Sequence, residues 1–133
     1  MDSTLKKCDG MGGEVPEASP MDDNTDLPQV TDDEFERFVI RSPVPVIVDF
    51  YADWCRPCRL VDPILSRLST DLNGKVRFAK VNVDESEEAA ESFAVHAIPT
   101  VLFVEKGTEK GRLVGILAET EFRAMLKTCF GVP

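Results

Sequence analysis

Short apolar runs recur along this chain of 133 residues, and five of them have the length and content of β-strands. The clearest is 46–52, which is nearly all apolar and predicts a strand buried on both faces. The last two runs flank a turn at Lys106-Gly107-Thr108, which predicts a hairpin. The predicted strands are 27–30, 46–52, 76–83, 101–104 and 112–116.

Helical periodicity fills the intervals between these runs. Apolar residues between 57 and 71 recur at three- and four-residue spacing, which predicts an amphipathic helix, and Pro63 inside it predicts a kink. The residues of this apolar stripe, which we expect to be buried, are Leu60, Val61, Ile64, Leu65 and Leu68. The run Thr31-Asp32-Asp33-Glu34 is a capping box that begins an earlier helix. The predicted helices are about 31–41, 57–71, 86–94 and 119–130.

The order of elements predicts an α/β domain. Early strand–helix–strand crossovers imply parallel pairing, whereas the final hairpin implies an antiparallel pair. A mixed sheet covered by helices on both faces therefore follows for residues 28–133. Residues 1–27 contain no aromatic residue, seven acidic side chains and two lysines, and we expect them to form a flexible acidic N-terminal tail.

Charge and hydropathy exclude several classes of function. The formal net charge is −9, and no basic stripe is visible that would bind nucleic acid. No apolar run reaches the roughly 18–20 residues of a membrane helix. No secretory or transit signal is apparent either, so we expect a cytoplasmic protein without a membrane or nucleic-acid partner.

The chemistry of the chain is concentrated in Cys55-Arg56-Pro57-Cys58, directly after the apolar strand. Two cysteines at this spacing can form and break a disulfide, and the predicted helix places Cys55 at its N-terminus, where a thiolate is favoured. The alternative is half of a zinc site, but zinc needs about four ligands and the other soft side chains are scattered. We therefore expect no metal. The scattered side chains are Cys8, His96 and Cys129.

The remaining two cysteines have less distinctive settings. Cys129 lies on the apolar face of the last predicted helix, where we expect a free thiol that packs as a small hydrophobe. Cys8 lies in the tail beside two lysines, and we expect an exposed thiol there.

Several motifs at matching spacing make the chain resemble the thioredoxin family from about 30 to 130. The resemblance implies a thioredoxin fold, with a five-stranded mixed sheet flanked by four helices. It also implies a monomeric protein-disulfide reductase that needs no bound cofactor and is re-reduced by a thioredoxin reductase. The motifs are Val30-Thr31-Asp32-Asp33, Val48-Asp49-Phe50-Tyr51-Ala52, Trp54-Cys55-Arg56-Pro57-Cys58, Pro63, Lys80-Val81-Asn82-Val83-Asp84, Ile98-Pro99-Thr100 and Gly115.

The resemblance assigns roles to the residues that carry the reaction. Cys55 attacks a substrate disulfide, and Cys58, which we expect to be more buried, resolves the mixed disulfide into a Cys55–Cys58 disulfide. Asp49 is an ionisable residue in an apolar strand, so burial should raise its pKa. The resemblance makes it the proton acceptor of Cys58, with Lys80 as its counter-charge. The alternative is a strand-end aspartate that faces solvent.

An apolar patch around Cys55 is the expected substrate-binding surface. It comprises Trp54, Ala97, Ile98, Pro99 and Gly115, together with Val114 and Ile116. The resemblance makes Pro99 a cis proline and makes Gly115 a point where a substrate backbone approaches closely. The alternatives are an ordinary strand-start proline and plain core packing.

The motif departs from the family at Arg56, where most thioredoxins have glycine. A cation beside Cys55 favours the thiolate and the reduced form, so Arg56, together with Pro57 and Lys80, is expected to tune the redox potential. We therefore expect a somewhat weaker reductant. Two alternatives to a general reductase stay open, namely a partner-specific or weakly oxidising thiol–disulfide carrier and a thioredoxin-fold binding module.

Overall fold

The computed structural model describes residues 27–115 and 118–132. Residues 1–26 lie outside the described part, so the flexible acidic tail expected at 1–27 stays a prediction. The one described residue of that segment, Leu27, packs against the core cluster that contains Leu65 and Phe122. The packed part of the chain therefore includes Leu27, one residue before the expected boundary.

The described strands form one mixed sheet in the order β2-β1-β3-β4. Strand β1 is parallel to β2 and antiparallel to β3, and β3 and β4 form the antiparallel hairpin. The parallel pair needs a crossover connection, which a long helix supplies. This arrangement confirms the mixed α/β fold. The strands are β1 (Val46–Tyr51), β2 (Arg77–Asn82), β3 (Thr100–Glu105) and β4 (Thr108–Val114).

The expected fifth strand is reduced to a single bridge, so the prediction of five strands is corrected to four among the described residues. Gln29 pairs with Lys80 in parallel. The Val30 N–H donates to the Lys80 carbonyl at 2.8 Å, and the Lys80 N–H donates to the Pro28 carbonyl at 2.9 Å. Pro28 has no backbone N–H and Thr31 already caps the next helix, so the pairing extends no further.

Four helical regions flank the sheet, as expected. The first continues directly into a π-helical segment, Glu36–Ile40, in which the Phe38 carbonyl accepts a hydrogen bond from Arg77 of β2 at 3.1 Å. The last has the predicted bounds and ends at Gly131, whose φ of +69° suits glycine. None of these helices within the described residues is long and apolar enough to cross a bilayer. The α-helices are α1 (Asp32–Phe35), α2 (Arg56–Asp71), α3 (Glu87–Ser92) and α4 (Glu119–Phe130).

The sheet separates two hydrophobic clusters. Alternate residues of a strand face opposite sides, so Ile47 of β1 packs with α2 and α4, whereas Val48 and Phe50 pack with α1 and α3. Asp49 shares the face of Ile47. The fold therefore places the one carboxylate of β1 beneath α2, the helix that begins at the cysteines.

Cys129 is buried in the cluster beneath α4, as the apolar pattern predicted. Its sulfur is part of a disulfide, however, and is not a free thiol. The expectation of a free buried thiol at this position is therefore wrong.

Candidate active site

Strand β1 leads into a short loop that ends in a disulfide. Beyond Tyr51 the chain turns at Ala52, whose carbonyl accepts the Cys55 N–H at 3.1 Å. Cys55 caps α2 in an extended conformation, and Cys58 lies in the first turn of the helix with its Cα 5.3 Å from that of Cys55. The two cysteines are bonded to each other, which confirms the pairing expected from the sequence.

The N-terminus of α2 stabilises negative charge on the Cys55 sulfur. The backbone N–H of Cys58 points at Cys55 Sγ, with a nitrogen–sulfur distance of 3.2 Å. Arg56 and Pro57 fill the first two helical positions and are exposed, and proline is tolerated there because no N–H is required. Once the disulfide is reduced, the N–H group and the helix dipole both favour a thiolate at Cys55.

The two cysteines are equally buried in this oxidised state. Cys55 is 3% exposed and Cys58 is 2% exposed, so the expected difference in burial is absent. Both pack against half-buried apolar neighbours, namely Tyr51, Val83 and Ile98. In the oxidised state both cysteines are therefore largely shielded from solvent.

The zinc alternative finds no ligand set. In residues 27–115 and 118–132, no three His, Cys, Asp or Glu side chains lie close enough together to hold a metal ion. His96, one of the scattered candidates, is exposed in the loop before Pro99. Cys55 and Cys58 are bonded to each other through their sulfurs, which favours redox chemistry over metal binding.

Asp49 is a buried and unpaired carboxyl group. It is 0% exposed, and neither of its oxygens has a hydrogen-bond partner within the described residues. Burial raises the pKa of Asp49 from 3.8 to about 7, with Lys80 lowering it and Asp62 raising it to smaller extents. The alternative of a solvent-facing aspartate is wrong. A carboxyl with this pKa is present in both protonation states near neutral pH, so it can accept or give a proton.

Lys80 lies opposite Asp49 in the β1–β2 register, but its ammonium group pairs with a different carboxylate. Lys80 Nζ is 3.2 Å from Asp62 Oδ1 and 4.3 Å from the centroid of the Tyr51 ring. The expected counter-charge for Asp49 therefore acts through space and makes no hydrogen bond to it. Asp62, which sequence reasoning missed, is the direct partner of Lys80.

The geometry of α2 relates Cys58 to this group of charges. Cys58 and Asp62 are four residues apart in the helix, so they lie on the same face of it. Because the charge of Asp62 acts on Asp49, this face looks toward the buried carboxyl. Cys58 therefore lies on the side of α2 that faces Asp49.

The exposed ring of Trp54 is held in place beside the disulfide. The side chain is 69% exposed, and its indole N–H donates to Asp84 Oδ2 at 2.8 Å. The N–H of Asp84 in turn donates to Asn82 Oδ1 at 2.8 Å. The sequence placed Asp84 at the end of the motif that begins at Lys80, but it did not indicate the hydrogen bond to Trp54.

The loop before β3 brings the other expected surface residues together. The Ile98–Pro99 peptide bond is cis, as predicted. The Pro99 carbonyl accepts the N–H of Gly115 at 2.9 Å, and Gly115 has a φ of +95°, which favours glycine. Ile98 packs against the cysteines, and Ala97 is exposed. Ile98 therefore links this loop to the cysteines, and the hydrogen bond from Gly115 to Pro99 joins the end of β4 to the same loop.

For three apolar residues, the sequence predicted a place in the core or in the apolar patch around Cys55, and the outcomes differ. Leu60, assigned from the pattern to the buried stripe of α2, is 57% exposed. Val114 is half-buried at the end of β4, and Ile116 lies outside the described residues. Leu60 and Trp54 are the large apolar side chains with the greatest exposure in the described part of the chain, and both belong to the segment that carries the disulfide.

Comparison with known proteins agrees with this geometry. A family model described as Thioredoxin matches residues 26–128. A thioredoxin of Rickettsia bellii is 44% identical over 87 residues, which cover 65% of this chain and 83% of the relative. Thioredoxin 1 of a Nostoc species is 37% identical over 99 residues, covering 74% of this chain and 92% of the relative.

A plant relative is similar over a greater length of this chain. The M-type chloroplastic thioredoxin of Brassica napus is 38% identical over 109 residues, which cover 82% of this chain. The match spans 60% of that relative's own length. The family match together with the disulfide at the start of α2 leads to one conclusion. This chain belongs to the thioredoxin family, whose members are thiol–disulfide oxidoreductases.

Proposed function

We propose that this chain is a protein-disulfide reductase that exchanges a Cys55–Cys58 dithiol for the disulfide of a protein substrate. The observation that carries the proposal is the disulfide at the N-terminus of α2, with the Cys58 N–H directed at Cys55 Sγ. Thioredoxins in general act on disulfide substrates and are reduced by thioredoxin reductase, which supports that enzyme as the electron donor.

The reaction passes two electrons in two exchanges. The Cys55 thiolate attacks one sulfur of the substrate disulfide, and a Cys55–substrate disulfide forms as the first substrate thiolate leaves. Cys58 then loses its proton and attacks Cys55 Sγ, which breaks the mixed disulfide and releases the second substrate thiolate. The substrate is reduced to two thiols, and the protein is oxidised to the state seen here.

Asp49 is the proposed acceptor of the Cys58 proton. It is buried, unpaired and titrates near neutral pH because of its burial, and Cys58 lies on the face of α2 that looks toward it. A general base is most effective when its pKa lies near the working pH. The charge of Lys80 lowers the pKa of Asp49, and the charge of Asp62 raises it.

The substrate-binding surface is proposed to surround Cys55 on the side of Trp54 and the cis-proline loop. The fixed indole offers a large apolar area, and the peptide groups of Pro99 and Gly115 lie just before the start of β3 and just after the end of β4. Ala97 and Ile98 complete the surface beside the cysteines. An extended substrate segment suits such a surface because it can form backbone hydrogen bonds while its side chains contact the indole.

Arg56 supports one alternative within redox chemistry. It is exposed at the first position of α2, directly beside Cys55, and its charge favours the reduced form. A partner-specific or weakly oxidising carrier is therefore the second candidate. A thioredoxin-fold binding module is the third, and it predicts function without either cysteine.

The test is a redox titration combined with reduction of insulin disulfides by the full chain. We expect turnover with NADPH and a thioredoxin reductase, no turnover by Cys55→Ser, and a trapped mixed disulfide with Cys58→Ser. Turnover that persists without Cys55 would refute the reductase. A potential well above that of other thioredoxins, with slow insulin reduction, would favour the weakly oxidising carrier.

We propose a cytoplasmic, monomeric protein without a bound cofactor. The bacterial thioredoxins among the relatives support this compartment, whereas the names of the M-type relatives point to the chloroplast. Fractionation of the source cells with an antibody to the chain distinguishes the two. Sedimentation of the purified chain tests the monomer.

A further inference from the structure

Lys80 stands between two carboxylates that differ sharply in exposure. Asp49, its register partner on β1, is 0% exposed, whereas the side chain of Asp62 on α2 is 43% exposed. The ammonium group lies 3.2 Å from Asp62, and both oxygens of Asp49 have no hydrogen-bond partner among the described residues. The lysine therefore bonds to the carboxylate in contact with solvent and leaves the buried one unpaired.

A cleft explains how the ammonium group is kept in this position. The cleft encloses about 730 Å³ between α2 and the edge of the sheet, and Asp62 and Lys80 both line it. The Tyr51 ring also lines it, with its hydroxyl accepting the Gln29 side-chain N–H at 2.8 Å and its face 4.3 Å from Lys80 Nζ. A carboxylate and an aromatic face thus hold the ammonium group at the hydrated side.

We propose that Asp62 is a positioning residue of the reaction: it holds the Lys80 ammonium group in the cleft and so keeps the Asp49 carboxyl unpaired and able to carry a proton. The inference rests on the proposed function through the role of Asp49. It concerns a residue outside the disulfide motif, one helical turn beyond Cys58 on the same face of α2.

The charged and titratable groups around Asp49 are few among the described residues. Strand β2 presents Lys80, helix α2 presents Asp62 and the oxidised Cys58, and β1 presents Tyr51, whereas the register partner on β3 is the apolar Val101. Neutralising Asp62 removes a like charge and also frees Lys80 to approach Asp49. Both changes favour the charged form of Asp49, so both move its titration to lower pH.

The test is the titration of the Asp49 side-chain carboxyl by carbon-13 NMR in the full, oxidised chain. We expect Asp62→Asn to lower the titration midpoint by about one pH unit or more, the size expected for a nearby opposite charge. Asp62→Glu should restore most of the wild-type midpoint. Asp71→Asn is the matched control, because it also removes one charge and one ion pair from α2 but acts on Arg123.

A second pair of variants tests whether Asp62 acts through Lys80. In a Lys80→Gln background, Asp62→Asn should lower the midpoint by less than half as much as it does with the lysine present. An unmoved or raised midpoint in Asp62→Asn overturns the proposal. Equal shifts in the two backgrounds also overturn it, since Asp62 would then act on Asp49 only through its own charge and not through Lys80.

Activity supplies an independent comparison. The pH profile of insulin reduction by Asp62→Asn should move to lower pH in parallel with the NMR midpoint, and an unmoved profile counts against a positioning role. The titration itself needs no turnover. If insulin reduction does not depend on Cys55, the proposed function fails, while the NMR midpoints still report whether Asp62 controls Asp49.

Discussion

Replacing Asp49 with asparagine should remove most of the pH dependence of stability between pH 4 and pH 8. The carboxyl has a pKa of about 7 in the folded protein, against a model value of 3.8, because burial disfavours its charged form. Between these two pKa values the folded state binds one more proton than the unfolded state. The free energy of unfolding of the wild type therefore falls as pH rises through this window, and it levels off below and above.

The size of the effect follows from the same shift. A rise from 3.8 to about 7 is roughly three pKa units, and at about 1.4 kcal/mol per unit it corresponds to about 4 kcal/mol. That is a large part of the roughly 5–15 kcal/mol by which domains are stable. Solvent screening reduces this effect little, because Asp49 is completely buried.

The assay is urea unfolding of the oxidised protein at intervals between pH 3.5 and pH 8.5, for wild type and Asp49→Asn. Oxidised protein is used because disulfide cysteines do not titrate. The Asn variant carries the cost of an unpaired buried amide at every pH. The informative quantity is therefore the way in which the difference in free energy of unfolding between wild type and variant changes with pH. We expect the stability of the wild type relative to the variant to fall by about 4 kcal/mol from pH 4 to pH 8.

An exposed residue supplies the control. Asp53→Asn makes the same change of charge at an exposed position, and its difference from wild type should vary by less than about 1 kcal/mol over the window. A flat difference between wild type and Asp49→Asn would refute the reasoning, because it would mean that burial does not hold the proton on Asp49. A stability difference that falls only below pH 5 would also refute the reasoning, because the carboxyl would then lose its proton near its ordinary pKa.

Three further substitutions test the site around the disulfide. Arg56→Gly should make the redox potential more negative by roughly 10–20 mV in a glutathione titration, since about 30 mV equals about 1.4 kcal/mol and an exposed charge contributes less; an unchanged or higher potential contradicts this. Trp54→Ala should raise KM for insulin several-fold and leave the rate with a small aromatic disulfide nearly unchanged, and equal losses with both substrates count against a binding role. Gly115→Ala should lower the free energy of unfolding by about 1 kcal/mol, because alanine is strained at a φ of +95°, and denaturant unfolding without a loss would show that the backbone relaxes.

Elements defined by local pattern could be predicted from the sequence. The run before the cysteines is apolar on both faces because β1 lies inside the sheet, and α4 has the predicted bounds because its periodicity and Gly131 mark them. The disulfide was predictable as well, since the spacing of Cys55 and Cys58 at a helix start leaves the sulfurs within reach. In each case the pattern that indicates the element lies within a short stretch of the chain.

Features set by contacts between distant segments could not be predicted. The edge strand shortens to one bridge at Gln29 because a proline precedes it and a capped helix follows it. Leu60 belongs to the apolar pattern of α2 but faces solvent, and the pattern alone does not indicate which of its residues the rest of the fold covers. The hydrogen bond between Trp54 and Asp84 joins residues 30 positions apart, which no local pattern reports.

The partner of Lys80 shows why even a correct register is insufficient. The register places Lys80 directly opposite Asp49, in agreement with the expectation of an ion pair between them. Such a pair would require the ammonium group to leave water and enter the site of a fully buried carboxylate, and the cost of desolvating both charges offsets their attraction. Pairing with the half-exposed Asp62 keeps the ammonium group in the cleft and away from the fully buried carboxyl, and the long lysine side chain reaches it at little cost. The buried carboxyl then holds its proton up to about pH 7, so a residue on helix α2 controls the protonation of a residue in the sheet.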